Sequence, residues 1–368
     1  MTHRVRFVNP QRTYQNLKEE LDAAYFDVMS NGELIDRHHL RSFENNLAEF
    51  TGTKFAVGLN SGYDALQMSL RAAGIGSGAE VIVPAHTFVA TCSAVVNVGA
   101  TPVLVDVASD FNIDVDKIKE AINPRTRGII PVHLSGWMAD MPRVIEIAKE
   151  HDLAVVEDAC QSVGSSISGK KAGSWGLVGC WSFYPFKILG GYGDGGAITT
   201  NDPEVAEFAT RMRYNGEDRQ SGEYHGHGFT CLLDNLQAAF LDVKLRHLPA
   251  WIERRKEIAE KYRIALSDLA DLLLPHYDRK GFDHVYQNYT IRSKQESAFS
   301  DYLKDNGIEV LTQFRKPYYR HEALGLVDRG FPVTEAISRE VCSLPMNPEL
   351  SNEEVDKVIS VVRSFYNQ

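Results

Sequence analysis

The stretch CWSFYPFKILGGYGDGGAITT (180–200) decides how this chain is read. It begins as an apolar run, passes one lysine at Lys187, breaks over a cluster of glycines and resumes as the β-rich AITT (197–200). Gly191, Gly193 and Gly196 satisfy the G-x-G-x-x-G pattern of a dinucleotide-binding turn. That pattern works only where the glycines open a helix whose N-terminus meets a pyrophosphate. Here they lead into a β-like run and then a turn, so a nicotinamide-dependent oxidoreductase is set aside. What remains is a strand, a glycine-rich loop carrying Lys187, and a second strand.

Working outward, short β-rich runs alternate with helical ones back to about residue 55. The runs are FAVGL (55–59), EVIVP (80–84), TPVLVD (101–106), GIIPVHL (128–134) and AVVEDA (154–159), with helices such as DALQMSLRAA (64–73) and MPRVIEIAKE (141–150) between them. Several runs are almost continuously apolar, as strands covered on both faces must be. The alternation predicts an α/β fold built on an open, mainly parallel sheet. Upstream, Leu40, Phe43, Leu47 and Phe50 recur at helical spacing, and Gly52 follows as a stop. Downstream, apolar positions from Leu236 to Tyr262 outline a long helix with Pro249 inside it, where a bend is expected. Beyond it come a short strand in YQNYTIRS (286–293) and a last helix, NEEVDKVISVVRSFY (352–366). We therefore divide the chain into an N-terminal segment and large domain (1–245) and a smaller C-terminal α+β domain (246–368).

Composition narrows the function classes. Apolar residues make up 43% and charged residues 24%, an ordinary globular balance. A net charge of −10 without a basic stretch disfavours nucleic acid and anionic membranes as partners. The apolar stretch 81–107 is interrupted by Pro84, His86, Asn97, Gly99 and Pro102, which excludes a membrane helix there. Five scattered cysteines without a C-x-x-C pair read as reduced thiols, with no zinc site and a cytoplasmic location. The N-terminus has no apolar core of a signal peptide.

Four pieces at predicted strand ends carry chemistry. In NSGYDAL (60–66), Ser61 and Asp64 resemble a capping box, and free N–H groups at Ser61, Gly62 and Tyr63 make a phosphate site. An ordinary capped helix reads the same way when taken alone. In PAHTFVAT (84–91), Phe88 can lie against a heteroaromatic ring, although a phenylalanine there is more often core. In VVEDACQS (155–162), Asp158 is costly to bury without a cationic partner, and a protonated pyridine nitrogen is one; capping the next helix is the plain alternative. Gln161 then reaches the ring's phenolic oxygen or sits on a helix surface. Lys187, between Phe186 and Ile188, is in an apolar setting that lowers a lysine pKa and frees a nucleophilic amine. The order of these pieces is more specific than any one of them.

At these residues the chain resembles the nucleotide-sugar aminotransferases of the DegT/StrS family, within the fold type I group of pyridoxal-phosphate enzymes. The likeness runs from NGELIDRHHLRSFENNLAEFTG (31–52) through NSGYDALQ, VEDACQSVG, SFYPFKILGGYGDGGAI and LDNLQAA to SLPMNPELSNEEVDKV (343–358). It implies a large domain with a mainly parallel mixed sheet flanked by helices, pyridoxal 5'-phosphate as cofactor, and Lys187 as its Schiff-base lysine. By the same resemblance Asp158 pairs with the pyridine nitrogen and Gln161 with the ring hydroxyl. Ser182 binds the phosphate, Phe88 stacks on the ring and Gly62 forms the phosphate turn. The substrates implied are an amino-acid donor, by resemblance L-glutamate, and a nucleotide-linked keto-sugar aminated at C3 or C4. A homodimer with active sites at its interface is also implied.

Several positions depart from the family's pattern. Tyr63 stands where threonine is common, and Thr230 and Leu232 replace an asparagine and an arginine; that asparagine reaches the neighbouring subunit's phosphate. Phe186 and Ile188 replace threonine and asparagine beside the lysine. Ser135 and Trp137 replace tyrosine and glutamine after His133, and Asn215 replaces histidine. These changes predict an unusually shaped sugar pocket. The rival readings are a keto-sugar dehydratase, whose relatives carry histidine in place of the lysine, a cofactor-binding regulator without turnover, and a phosphate-binding structural protein.

Overall fold

The computed structural model describes residues 5–275 and 279–367. Its main sheet has seven strands: β1 (Phe55–Leu59), β2 (Glu80–Pro84), β3 (Thr101–Val105), β4 (Thr126–Ile129), β5 (Ala154–Asp158), β6 (Val178–Ser182) and β7 (Gly196–Thr200). They lie in the order β1-β7-β6-β5-β4-β2-β3. From β6 to β3 every pairing is parallel. β7 runs antiparallel to both of its neighbours. The cause is the connection: β6 returns through the Lys187 loop without a crossover helix, whereas parallel neighbours need one. The sheet is thus mixed and mainly parallel, as expected.

Burial explains the apolar runs. Val81, Ile82 and Val83 of β2 are fully buried between β3 and β4, each contributing about 1.5–3 kcal/mol of apolar transfer. The helix Gly62–Ala72 lies against the β5–β6–β7 part of the sheet. The helix His38–Thr51 buries Leu40, Phe43 and Leu47 and ends at Gly52, whose φ of +75° favours glycine. Arg213, nearly buried, ties this helix to β1 by pairing with Glu44 and donating to the Gly58 carbonyl (2.9 Å).

The long helix spans Asn235–Leu266 and runs through Pro249. The boundary drawn at 245/246 falls inside it, with no linker. Ala238 to Ile252 pack into the large core, while Ile258 to Leu266 pack into a second core. That second core surrounds an antiparallel sheet of β8 (Leu272–Leu273), β9 (Tyr289–Ser293) and β10 (Val341–Leu344), in that order. It also recruits Val5, which bridges to Ile308, so the first described residue packs with the C-terminal unit. Val107, Phe111, Val132 and Leu134 meet Ile337 and Val341 in a shared apolar cluster. No helix among the described residues is long and apolar enough to cross a membrane.

Candidate active site

The C-terminal ends of β1, β5 and β6 bring most of the predicted residues together. Ser61 caps the helix Gly62–Ala72: its Oγ accepts from the Asp64 N–H (3.0 Å) and donates to the Asp64 carboxylate (2.7 Å). The capping is therefore not the reciprocal box, because Asp64 takes the serine hydroxyl and not the backbone N–H. The N–H groups of Gly62 and Tyr63 open this helix and have no partner within it. A Cβ on Gly62 would stand 2.8 Å from Cys160 Sγ and 2.8 Å from Ser182 Cβ. The helix start is thus pressed onto the end of β6, beside Ser182. Gly196 backs the same turn; a Cβ there would lie 2.2 Å from the Ser61 carbonyl carbon.

Asp158 ends β5 and is 6% exposed. Its Oδ2 accepts from the Thr91 hydroxyl (2.8 Å) and its Oδ1 from the Cys160 N–H (3.3 Å). Thr91 in turn meets the Thr87 hydroxyl (2.9 Å). Thr91 lies in the first turn of the helix Val89–Asn97, which Phe88 precedes, so one short segment carries both the stacking candidate and the carboxylate's partner. Phe88 is 58% exposed, a ring face left open. The Gln161 Oε1 accepts from the Ser135 N–H (2.9 Å), which leaves its amide NH2 as the group to offer a phenolic oxygen. Ser135 is held in the left-handed region at φ +57° to make that contact.

Lys187 sits in the loop after β6, where its N–H donates to the Tyr184 carbonyl (2.8 Å). Burial of its amine lowers its pKa from the ordinary lysine value, and the nearby Cys160 and Asp158 oppose the shift. Ile188 is buried as expected, but Phe186 is 52% exposed and meets Tyr184 edge-on, so it does not enclose the lysine.

Two predicted residues are turned elsewhere. The Tyr63 hydroxyl meets the Asn97 side chain, so only its backbone N–H is left at the helix start. The Cys231 carbonyl, next to Thr230, accepts from the Asn60 N–H (2.7 Å), but the Thr230 hydroxyl donates to Asn215 (2.9 Å) on an exposed surface. Asn215 itself sits at φ +59°.

Glu157, beside Asp158, points to the opposite face of the strand. It accepts from the N–H groups of Gly173 (2.9 Å), Trp175 (2.6 Å) and Gly176 (2.8 Å) and lies 3.0 Å from His133 Nε2. His133 Nδ1 accepts from the Ala139 N–H (3.2 Å), so the ring proton is on Nε2 and points at Glu157. This pair is a structural anchor. Thr91 and Lys244 were not singled out from the sequence. Lys244 reaches from the long helix to the Gly190 carbonyl (2.6 Å) and lies over the Tyr192 ring; burial lowers its pKa to about 8.

The arrangement fits pyridoxal phosphate on its own geometry. It offers a cradle that a methyl group would fill, a nearly buried carboxylate with fixed partners, an open aromatic face and a desolvated amine.

The sequence profile described as the DegT/DnrJ/EryC1/StrS aminotransferase family matches residues 15–363. The dTDP-3-amino-3,4,6-trideoxy-alpha-D-glucose transaminase of Streptomyces venezuelae is 39% identical over 99% of this chain and 97% of its own. A protein of Geobacillus stearothermophilus named a pleiotropic regulatory protein is 37% identical over 96% of each chain. The crystal structure of S. venezuelae DesV in complex with a ketimine intermediate superposes with a TM-score of 0.97 at 39% identity, covering 100% of both chains.

Proposed function

Because the chain belongs to the DegT/DnrJ/EryC1/StrS aminotransferase family, we propose that it transfers the amino group of an amino acid, L-glutamate, to C3 or C4 of a nucleoside-diphosphate keto-sugar. The observation that carries the reading is the desolvated Lys187 amine beside the doubly held Asp158 carboxylate. Pyridoxal phosphate, when bound, supplies a protonated ring that withdraws electrons from the bond being broken.

Each residue then has a task. The N–H groups of Gly62 and Tyr63 and the Ser182 hydroxyl hold the phosphate, where the helix dipole adds to the hydrogen bonds. The Asp158 carboxylate keeps the proton on the ring nitrogen, and Thr91 fixes the carboxylate's orientation. The Gln161 NH2 donates to the phenolic oxygen, and Phe88 covers one ring face. The lowered pKa of Lys187 raises the neutral fraction of Nζ, which anchors the cofactor. Displaced by the donor's amine, Nζ would be free to take the proton from the donor's Cα and hand it on within the site. The reverse sequence aminates the keto-sugar.

The active unit is a homodimer with its sites at the interface. Tyr25, Phe26, Met29, Leu34 and Ile35 are exposed on the helix Lys18–Asn31 and the turn after it, an apolar face that a second copy of the chain would cover. Thr230 reaches the neighbouring subunit's phosphate if its bond to Asn215 opens. The protein works in the cytoplasm on soluble substrates.

Lys187→Ala is expected to abolish both the visible absorbance of the bound cofactor and turnover; retention of both sinks the assignment. Glutamate added to the holoenzyme should convert the visible band and release 2-oxoglutarate. A regulator without turnover leaves glutamate unchanged. A panel of UDP-, dTDP- and GDP-keto-sugars, followed by product mass and NMR, identifies the acceptor and the aminated carbon.

A further inference from the structure

Lys187 is flanked by two peptide groups, and one distant side chain holds both. The Gln287 Nε2 donates to the Phe186 carbonyl (3.0 Å), and its Oε1 accepts from the Ile188 N–H (2.9 Å). A primary amide presents a donor and an acceptor side by side, so a single residue can fix the peptide on each side of the Lys187 Cα. Gln287 is 7% exposed and stands just before β9, at the junction of the two cores.

Gln287 is itself immobilised. The Arg255 Nη1 donates to the Tyr286 carbonyl (2.9 Å) and the Met346 carbonyl (2.7 Å), which clamps the backbone before Gln287 to the C-terminal unit. On its other side the backbone of Gly136 presses close: a Cβ there would be 2.8 Å from the Gln287 nitrogen. Further along the Lys187 loop, Lys244 holds the Gly190 carbonyl (2.6 Å). The loop is therefore pinned at Phe186, Ile188 and Gly190 by residues that do not belong to it. Because Nζ hangs on four methylenes, a modest rotation of the Cα displaces the amine by a large fraction of the distance a proton transfer tolerates.

We propose that Gln287 is a positioning residue for Lys187, setting the direction of its side chain and tying it to the C-terminal unit. This rests on the assignment of Lys187 as the lysine that anchors the cofactor. Gln287→Ala removes both hydrogen bonds. It is expected to lower kcat about 10- to 100-fold, with KM for the donor within about threefold. It should also move the pH midpoint of the visible cofactor band and speed hydrogen exchange across 183–191 in the apoprotein.

Gln287→Glu separates positioning from mere packing. The protonated acid keeps one donor and one acceptor; the carboxylate loses the donor and sets charge against the Phe186 carbonyl. Burial raises the pKa of such a group. The variant should therefore approach wild-type rate and band position at low pH and lose both through a titration step the wild type lacks. The inference is overturned if Gln287→Glu follows the wild-type pH profile and band titration throughout, or if Gln287→Ala lowers only the melting temperature. Lys187→Ala serves as the control. If it keeps the visible band, the lysine assignment fails; if it loses the band while both Gln287 variants match the wild type, this inference alone fails.

Discussion

Replacing Gly62 by alanine tests the phosphate cradle at its tightest point. The added Cβ would meet Cys160 Sγ at 2.8 Å, Ser182 Cβ at 2.8 Å and Ser182 Cα at 3.2 Å. Carbon atoms in good contact sit about 3.5–4.0 Å apart, so the approach is short by roughly 0.7–1.2 Å. The Cys160 thiol can rotate away, but Ser182 Cβ is fixed to a strand paired with Gly196 of β7. The helix start must retreat instead. Overpacking of this kind costs about 1–3 kcal/mol, and the retreat draws the Gly62 and Tyr63 N–H groups away from the Ser182 hydroxyl. Hydrogen bonds to a charged acceptor are worth about 1.5–3 kcal/mol each. Losing part of two of them should weaken cofactor binding about 10- to 100-fold, at roughly 1.4 kcal/mol per decade. The assay is a titration of the apoprotein with pyridoxal phosphate, followed by absorbance. Gly76→Ala is the control, because its Cβ would meet only the Val98 carbonyl at an ordinary 3.6 Å. A Gly62→Ala protein that binds the cofactor within twofold of the wild type refutes the convergence of helix and Ser182 on one phosphate.

Thr91→Val keeps shape and removes the hydroxyl held 2.8 Å from Asp158; apoprotein stability should fall by about 1.5–3 kcal/mol in urea, and an unchanged midpoint contradicts the bond. Glu157→Gln replaces an acceptor that serves three N–H groups and a buried imidazole; a loss of about 1–3 kcal/mol is expected, and near-neutral stability would show that the 173–176 loop does not depend on it. The Lys244 pKa is lowered from 10.5 to about 8 by burial, so between those values the unfolded chain binds the proton more strongly. The penalty is full below about pH 8 and fades toward 10.5, and apoprotein stability should rise across that window by on the order of 3 kcal/mol. Lys244→Met should flatten the rise; an identical pH dependence in the variant rules this lysine out as its source.

How much of this was legible in the sequence follows from what kind of force placed each residue. β2 was read at its observed ends because a strand covered on both faces must be apolar throughout, and EVIVP is buried at every position. The helices 141–150 and 352–366 were likewise read at their observed ends, where the structure shows local signals: an Asp140 cap followed by proline, and a Ser351 capping box. Strand order was not legible. Nothing in AITT says that β7 inserts antiparallel between β1 and β6, since that depends on which edges remain after the parallel strands stack. The site divides the same way. Asp158 and Lys187 stood out because a strand-end acid and an apolar-flanked lysine are each anomalous where they occur. Even so, the lysine's flanks were only half read, since Ile188 is buried beside it while Phe186 is exposed. Thr91 and Gln287 carry no local anomaly. A threonine in a helix's first turn and a glutamine before a strand are ordinary, and their meaning lies in the groups that tertiary packing sets against them. The same holds for Tyr63 and Thr230. Sequence comparison flags them as departures, but only the structure shows that one hydroxyl is taken by Asn97 and the other by Asn215. With the Tyr63 hydroxyl engaged by Asn97, the proposed phosphate site within this chain rests on backbone N–H groups and Ser182, which is why alanine at Gly62 is the perturbation to which cofactor binding should be most sensitive.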